Sequence, residues 1–146
     1  MAVTAFVYGG FLQSVMNKEV DLDSDSIKVM LVTSSYTPNQ DTHRYRSSVV
    51  ANEVSGSGYT AGGSALSNKS VSYSAGNNTF TFDADDVTWT PSTITARYAV
   101  FYDSTPGSSA TDPLIAYWDF GADVTSSNGP FTLTINASGI FTATVA

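Results

Sequence analysis

Apolar residues alternate with polar ones along much of this chain, and that period of two restricts its fold more than any other feature. Successive side chains of a β-strand point to opposite faces of a sheet, so a strand with one buried face is apolar at every second position. The clearest case is FTLTIN, where Phe131, Leu133 and Ile135 alternate with polar residues, followed after residues 136–139 by IFTATV. This pattern predicts a C-terminal β-hairpin.

The same alternation predicts a second hairpin and four further strands. SVSYS and TFTFD are joined by residues 75–78, whose glycine and asparagines tolerate positive φ. Further strands are predicted over residues 3–8, 27–34, 95–102 and 114–120. Two of these contain IKVMLV and YAVFY, which are apolar on both faces. We expect them to be central strands covered on each side, or strands with one face buried against another subunit.

Two stretches have a helical spacing instead. GFLQSVMNK repeats apolar residues on one helical stripe, and DTHRYRSSVVANEV is a candidate short helix with Asp41 or Thr42 as its N-cap. About eight short strands separated by Gly, Ser and Asn turns predict one all-β domain over residues 1–146. We expect a two-sheet sandwich, with a jelly roll as one arrangement of it, carrying one or two short helices. The alternation leaves the strand order open.

Charge and composition exclude several classes of partner. Six Lys and Arg residues stand against thirteen Asp and Glu, which gives a net charge of −7, and the basic residues are scattered. Phosphate backbones are repelled by such a chain, so we expect no nucleic acid partner. No apolar run approaches a membrane span, and the start MAVTAFVYGG lacks the charged region of a secretory signal. Without cysteine, neither disulfides nor thiolate sites can form.

An acidic run resembles the start of a calcium-binding loop. Asp21, Asp23 and Asp25 alternate as such carboxylates do, because Ca²⁺ binds several hard oxygen ligands. However, Ser26 stands where an EF-hand needs glycine, and Val32 stands where it needs a bidentate glutamate. The residues therefore favour a solvated turn whose Asp side chains bind the local backbone, with the three aspartates as metal candidates. We expect no cofactor.

Catalytic constellations are also incomplete. His43 is the single histidine, so a triad or a two-histidine metal site would lack a partner, and we interpret it as a surface or loop residue. Asp83, Asp85 and Asp86 could in principle perform general acid and base chemistry, as in glycosidases. Their place between two predicted strands favours a solvated loop, a shared ion or an intersubunit pair with Arg97. We therefore expect no enzymatic activity.

Aromatic and apolar residues supply candidates for an interaction surface. Trp118 shares an apolar strand face and is expected in the core, whereas Trp89 and Tyr59 lie in loop-like contexts and are candidates for contacts. The GFLQSVM segment and the exposed face of residues 3–8 are candidates to dock on a neighbour, and packing on the chain's own core is the alternative. The interface candidates are Phe11, Leu12, Val15, Met16, Tyr59 and Trp89.

Several strings together resemble a known group of proteins. These are NKEVDLDSDSIKVMLVTSSYTPNQDTHRY, ANEVSGSGYTAGGSAL, DADDVTWTPSTITARYAVFYD and the closing GIFTATVA. They are similar to small virion structural proteins of tailed bacteriophages, and the similarity extends from about residue 17 to the C-terminus. The strings are framework and turn segments without catalytic residues. The resemblance implies a head decoration (cement) protein or another minor structural component of a phage particle.

Physical features of the chain favour one of the roles that the resemblance implies. An acidic chain without a basic arm is poorly suited to line a DNA-filled interior, so we expect it on the exterior of the virion. The first hypothesis is a cement protein that binds the major capsid protein or other virion proteins as a symmetric homo-oligomer. The second is a tail or head-fibre module that recognises a host glycan through Tyr59 and Trp89. The third is a carbohydrate hydrolase that uses Asp83 or Asp86.

Overall fold

The computed structural model describes residues 3–146, and these residues form β-strands, one α-helix and two short 3₁₀ turns. The helix α1 covers Gly9–Met16, and the 3₁₀ turns cover Arg46–Ser48 and Val50–Asn52. The strands are β1 (Thr4–Val7), β2 (Ile27–Val32), β3 (Ser64–Ala65), β4 (Ser70–Ser74), β5 (Thr79–Asp83), β6 (Val87–Asp103), β7 (Leu114–Leu133) and β8 (Phe141–Thr144).

The strands form two antiparallel sheets. The larger sheet, formed by described strands, has the order β1-β7-β6-β2-β3, and the smaller has the order β4-β5-β8. Long strands β6 and β7 form the centre of the larger sheet and pair from Tyr102↔Leu114 to Val87↔Leu133. The predicted all-β, two-sheet sandwich is confirmed, and so are the strands expected over residues 3–8, 27–34, 95–102 and 114–120.

The two strands that are apolar on both faces lie inside the larger sheet, as predicted. On one face, residues such as Val29, Leu31 and Phe101 belong to the main core between the sheets. On the other face, Met30 and Val100 pack in a second cluster with side chains from the chain's own loops and from neighbouring strands. Intramolecular packing therefore covers both faces, and no second subunit is needed to bury either strand. The second cluster contains Tyr8, Met30, Val32, Tyr36, Val49, Tyr98, Val100, Tyr102, Leu114 and Tyr117.

The predicted C-terminal hairpin is wrong in its pairing. Phe131 and Leu133 are buried as expected, but they end β7 and pair with β6, whereas β8 pairs with β5 through Phe82↔Phe141. The turn at residues 136–139 carries the chain from one sheet to the other. Gly139 has φ +87°, and a Cβ there would collide with the Phe82 carbonyl. Alternation fixed the faces of these strands correctly, but it carries no information about the partner strand.

The second predicted hairpin is confirmed. β4 and β5 are antiparallel, with Val71 opposite Phe82 and Tyr73 opposite Phe80. Asn78 in the connecting turn has φ +52°, a conformation that asparagine tolerates better than most residues. Partners across an antiparallel pair lie on the same face, so the apolar residues of both strands form one face of the smaller sheet.

Of the two helical stretches, the first is confirmed as α1 and the second differs in position and type. No α-helix begins at Asp41 or Thr42 in the described chain. Instead, the Asn39 side chain accepts hydrogen bonds from the N–H groups of both residues, which holds them in a turn, and the 3₁₀ turns follow only from Arg46.

Candidate interaction surface

Helix α1 has two apolar faces with different environments. Phe11 is buried, and Val15 packs partly buried against the same core. Leu12 and Met16, one position further along the helix, are 63% and 81% exposed. The four interface candidates on α1 therefore separate into two pairs with i, i+4 spacing. The Phe11 and Val15 pair anchors the helix, which corrects the expectation that both residues are free to dock, and Leu12 with Met16 stays available.

The end of α1 is fixed by backbone hydrogen bonds. The N–H of Lys18 donates to the Val15 carbonyl, and the N–H of Glu19 donates to the Ser14 carbonyl, which is the pattern of a Schellman motif. Lys18 occupies the left-handed position of this motif with φ +60°, where glycine is preferred. Arg44 binds both carboxylate oxygens of Glu19 at 3.0 Å and ties the end of the helix to the loop after β2.

A groove runs between α1 and the smaller sheet. Its volume is 630 Å³, and charged side chains of Lys18, Asp21 and Asp23 lie at its border. The rest of its lining is apolar and comes from α1, the segment before β2 and the inner face of the smaller sheet. We call it the α1 groove, and its apolar lining residues are Phe11, Leu12, Val15, Val20, Leu22, Val71, Phe80, Phe141 and Ala143.

Exposed apolar side chains concentrate around this groove. Phe82 and Phe141 cover the core, but β4 extends beyond it, leaving Val71 41% and Tyr73 56% exposed on the same face. Val145 follows β8 on that face and is also exposed. Among the described residues, the exposed large hydrophobic side chains are Val3, Leu12, Met16, Val71, Tyr73 and Val145, and all but Val3 lie on α1 or on this face.

The two loop aromatics are not part of an exposed surface. Trp89 lies in β6 and is only 7% exposed, and Tyr59 packs against it with ring centroids 5.8 Å apart. The Tyr59 hydroxyl donates to Glu53 at 2.8 Å and accepts from the N–H of Leu31 at 3.0 Å, and burial raises its pKa. The expectation that these rings form an open contact platform is therefore wrong. Trp118 is buried as predicted.

A chain of hydrogen bonds connects His43 to the second cluster. The N–H of Asn39 donates to His43 Nδ1 at 3.3 Å, so Nδ1 is an acceptor and the Tyr36 hydroxyl donates to it at 2.8 Å. The Tyr8 hydroxyl in turn donates to Tyr36 at 2.9 Å. Desolvation lowers the pKa of His43 and raises that of Tyr36 to about 12. The histidine lies in a loop, which is one of its two predicted placements, and it is half-buried with a structural hydrogen-bond partner.

The Asp21 to Asp25 run forms a backbone turn. Asp21 accepts hydrogen bonds from the N–H groups of Asp23 and Ser24, and Asp25 accepts one from the N–H of Asp21. A hydrogen bond from the Ser24 side chain, together with those from the N–H groups of Ser24 and Asp23, lowers the pKa of Asp21. Within residues 3–146, no three acidic or histidine side chains are grouped as ligands of a metal ion. The sequence lacks two residues that an EF-hand requires, and a turn whose Asp side chains bind the local backbone was therefore predicted. The structure has this geometry.

Asp103 is a buried carboxylate that the sequence did not single out. It ends β6 with no exposed surface, and its Oδ1 accepts from the N–H of Thr105 at 2.8 Å. No donor among residues 3–146 forms a hydrogen bond with its Oδ2. Burial, together with the neighbouring Asp25 carboxyl, raises the pKa of Asp103 to about 6. As the last residue of YAVFYD, it had the pattern of an ordinary polar residue at the end of a strand.

The acidic cluster before β6 also accepts hydrogen bonds from backbone and side-chain groups of the chain, two of them distant in sequence. Asp83 accepts from the N–H of Ala84, Asp85 accepts from the Asn68 side chain at 2.6 Å, and Asp86 accepts from the N–H of Ile135 at 2.7 Å. Arg97 does not pair with this cluster, since it forms an ion pair with Asp119 at 2.8 Å instead. These carboxylates therefore fix the connection between the two sheets.

Comparison with known proteins gives no family for the chain. No protein-family model, curated protein or solved structure matches it.

Among residues 3–146, no helix combines the length and the apolar character that crossing a lipid bilayer requires.

Proposed function

We propose that this chain is a structural protein of a tailed bacteriophage particle, and specifically a decoration protein that binds the outer surface of the capsid. The observation that carries the proposal is the α1 groove, an apolar surface on an otherwise acidic molecule. Monomeric soluble proteins seldom expose contiguous apolar patches of this kind unless the patch contacts a partner. The sequence resemblance to virion structural proteins supplies the class of partner, which is the major capsid protein or a neighbouring virion protein.

The distribution of charge supports a protein partner over the packaged genome. The three arginines are engaged in ion pairs within the chain, to Glu19, Asp112 and Asp119. Lys69 donates to the carbonyls of Asp23 and Asp25. Little positive charge therefore remains free to neutralise phosphates, and the net charge is −7. This balance supports the proposed exterior position on the particle.

The proposed mechanism is stabilisation by preferential binding. A protein that binds the assembled shell more tightly than its separated subunits shifts the equilibrium toward the shell. Many copies on a lattice act together, so each individual contact can be weak. In this mechanism α1 presents Leu12 and Met16 to the capsid, while Phe11 and Val15 hold the helix on its own core. The proposal requires no bond-making chemistry, and we propose accordingly that the chain is not an enzyme.

Binding to capsids tests the role of the groove directly. We expect the double substitution Leu12→Ser and Met16→Ser to weaken binding to purified capsids at least tenfold, while the thermal unfolding midpoint stays close to that of the original chain. Val3→Ser is the comparison variant, because Val3 is 52% exposed and lies on the other candidate docking face, away from the groove; weaker binding by this variant alone would assign the contact to residues 3–8. Equal binding by the double variant and the original chain would remove the groove from the proposal.

The number of copies per virion separates the decoration role from a tail role. Quantitative mass spectrometry of purified virions should give a copy number of the same order as the major capsid protein. A handful of copies, found in the tail fraction, would overturn the decoration protein and favour the host-binding module. The structure weakens the glycan platform of that alternative, because Trp89 is buried and Tyr59 is partly buried against the same core.

A further inference from the structure

Strand β4 is an edge strand without the usual protection against pairing. It lies at one side of the smaller sheet, with β5 as its neighbour, and all five of its side chains are exposed. In the described chain, no hydrogen bond is formed by its backbone apart from those with β5. Its sequence SVSYS contains no charge and no proline, and no register shift interrupts its pairing with β5. Natural proteins ordinarily use such devices to prevent an edge from binding another strand.

The other edge strands of the described sheets, β1, β3 and β8, have only two to four residues and are shorter than β4. β1 is capped by Gln40, whose side chain donates to the Val7 carbonyl at 2.7 Å. Near β8, the Trp118 indole donates to the Ile140 carbonyl at 3.2 Å. β3 has only two residues. β4, with five residues, is therefore the longest edge strand of the described sheets and the one from which a sheet is most readily extended.

The sequence of β4 is complementary to itself in an antiparallel arrangement. With a two-fold axis through Ser72, Val71 of one copy lies opposite Tyr73 of the other, and Tyr73 lies opposite Val71. Aromatic and β-branched residues are favourable cross-strand neighbours. The serines would meet on the opposite face, so apolar and polar residues stay separated across the junction. A closed two-fold contact of this kind uses the same patch on both copies.

The absence of charged side chains from β4 allows a second copy to approach at this position. Each copy has a net charge of −7, so most pairs of surfaces repel each other, but residues 70–74 carry no charged side chain. We propose that two copies pair through β4 about this axis and form a continuous six-stranded sheet, β8-β5-β4-β4-β5-β8. Both inner faces then lie on the same side of that sheet. This inference stands independently of the proposed role in a virion.

The size of the contact sets the expected strength. A stable interface buries about 1,200–2,000 Å² in total, and a five-residue strand pair with Val71 and Tyr73 falls below that range. The dimer is therefore expected to be weak, with a dissociation constant in the micromolar to millimolar range. Ordered main-chain hydrogen bonds supply part of its affinity, as they do when a peptide strand adds to an exposed edge.

Sedimentation velocity over a range of concentrations tests this pairing. We expect the mass of the original chain to rise from 15.4 kDa toward twice that value and no further. Ser72→Lys places two like charges at the axis and should weaken association about tenfold. Thr142→Lys is the matched control, because Thr142 is exposed on β8 and the change adds the same charge away from the junction. The control should associate as the original chain does.

Two further outcomes make the result decisive. Hydrogen exchange of the β4 peptide should slow at high concentration in the original chain and in Thr142→Lys, but not in Ser72→Lys. Both variants should keep their far-ultraviolet circular dichroism, since both positions are exposed. A chain that stays monomeric throughout, equal weakening by the two lysines, or assemblies larger than a dimer would each overturn the proposal. Capsid binding is measured separately, so a failed dimer leaves the proposed function untouched.

Discussion

Replacing Asp103 by asparagine should stabilise the protein at neutral pH. Asp103 is buried, its Oδ2 has no hydrogen-bond donor among residues 3–146, and Asp25 lies beside it. An ionised Asp103 therefore places two like charges together with one oxygen unsatisfied, which is unfavourable in a buried position. Asparagine keeps an acceptor for the N–H of Thr105 and offers an amide N–H group toward Asp25.

The expected magnitude follows from the pKa of Asp103. Its value rises from 3.8 to about 6 on folding, which corresponds to roughly 3 kcal/mol between the two protonation states. Because Asp25 is partly exposed and solvent screens it, we expect a smaller gain of about 1–2 kcal/mol. The folded state holds this proton more tightly than the unfolded state, so the contribution is favourable below pH 4 and is lost as pH rises through 6.

Urea unfolding of the original chain and Asp103→Asn at pH 4.5 and pH 7.5 measures the effect. The gain in the free energy of unfolding should be full at pH 7.5 and small at pH 4.5, where folded Asp103 is already protonated. Asp123→Asn, an exposed position, makes the same charge change and controls for net charge. Repeating the experiment in an Asp25→Asn background should reduce the gain, because the facing charge is then absent.

Equal destabilisation of the protein by Asp103→Asn at both pH values would contradict an unfavourable ionised carboxylate at Asp103. That result would mean that the Oδ2 atom has a favourable partner, such as a bound cation, that asparagine cannot replace. A gain that is the same in the Asp25→Asn background would remove Asp25 as the cause and leave burial alone.

Three other substitutions test single features. Tyr36→Phe should cost about 1–2 kcal/mol in urea unfolding, because the buried Tyr8 hydroxyl then loses its acceptor. Tyr59→Phe should lower stability by about 1–3 kcal/mol in the same assay, since the buried N–H of Leu31 loses its partner. Lys18→Gly should raise the thermal midpoint, with a gain of about 0.5–1 kcal/mol, because glycine adopts φ +60° without strain.

Each of these has a control or a contrary result. Tyr45→Phe removes a hydroxyl that donates to Glu19 over a long 3.4 Å, so it should cost much less than Tyr36→Phe, and equal losses would contradict the buried chain. For Tyr59, an unchanged unfolding free energy would mean that water replaces the lost bonds. A lower thermal midpoint for Lys18→Gly would show that contacts of the lysine side chain stabilise the fold by more than the strain at φ +60° destabilises it.

The sequence predicted the features of the fold that depend on neighbouring residues, and it failed for those that depend on segments distant in the chain. Alternation placed Phe131 and Leu133 on a buried face, because side-chain direction follows from neighbouring residues. It assigned the wrong partner to β8, because pairing depends on distant segments. The loop-like context predicted for Trp89 is wrong, because β6 continues through Trp89 and Pro91 with a shift in register between Trp89 and Ser92.

The candidate site was predicted to a similar degree. The spacing of GFLQSVM located α1, but four apolar residues on one short helix cannot show which pair faces the core. Which pair faces the core depends on where the smaller sheet lies. Its strand β4 extends beyond the core and so forms one side of the α1 groove. Asp103 gave no sequence signal at all, since its neighbour Asp25 is distant in the chain and becomes close only when β2 pairs with β6 through Ile27↔Asp103.

The position of the β6–β7 pair at the centre of the larger sheet has a consequence for synthesis of the chain. β2, apolar on both faces, leaves the ribosome long before its partner β6, and β1 must wait for β7. Such non-local pairing is slow and leaves apolar strands open to wrong partners in the meantime. The hairpin of β6 and β7, joined by residues 104–113, is the local element on which the earlier strands can then assemble. Truncation before β7 should therefore give an aggregating chain and not a smaller folded one.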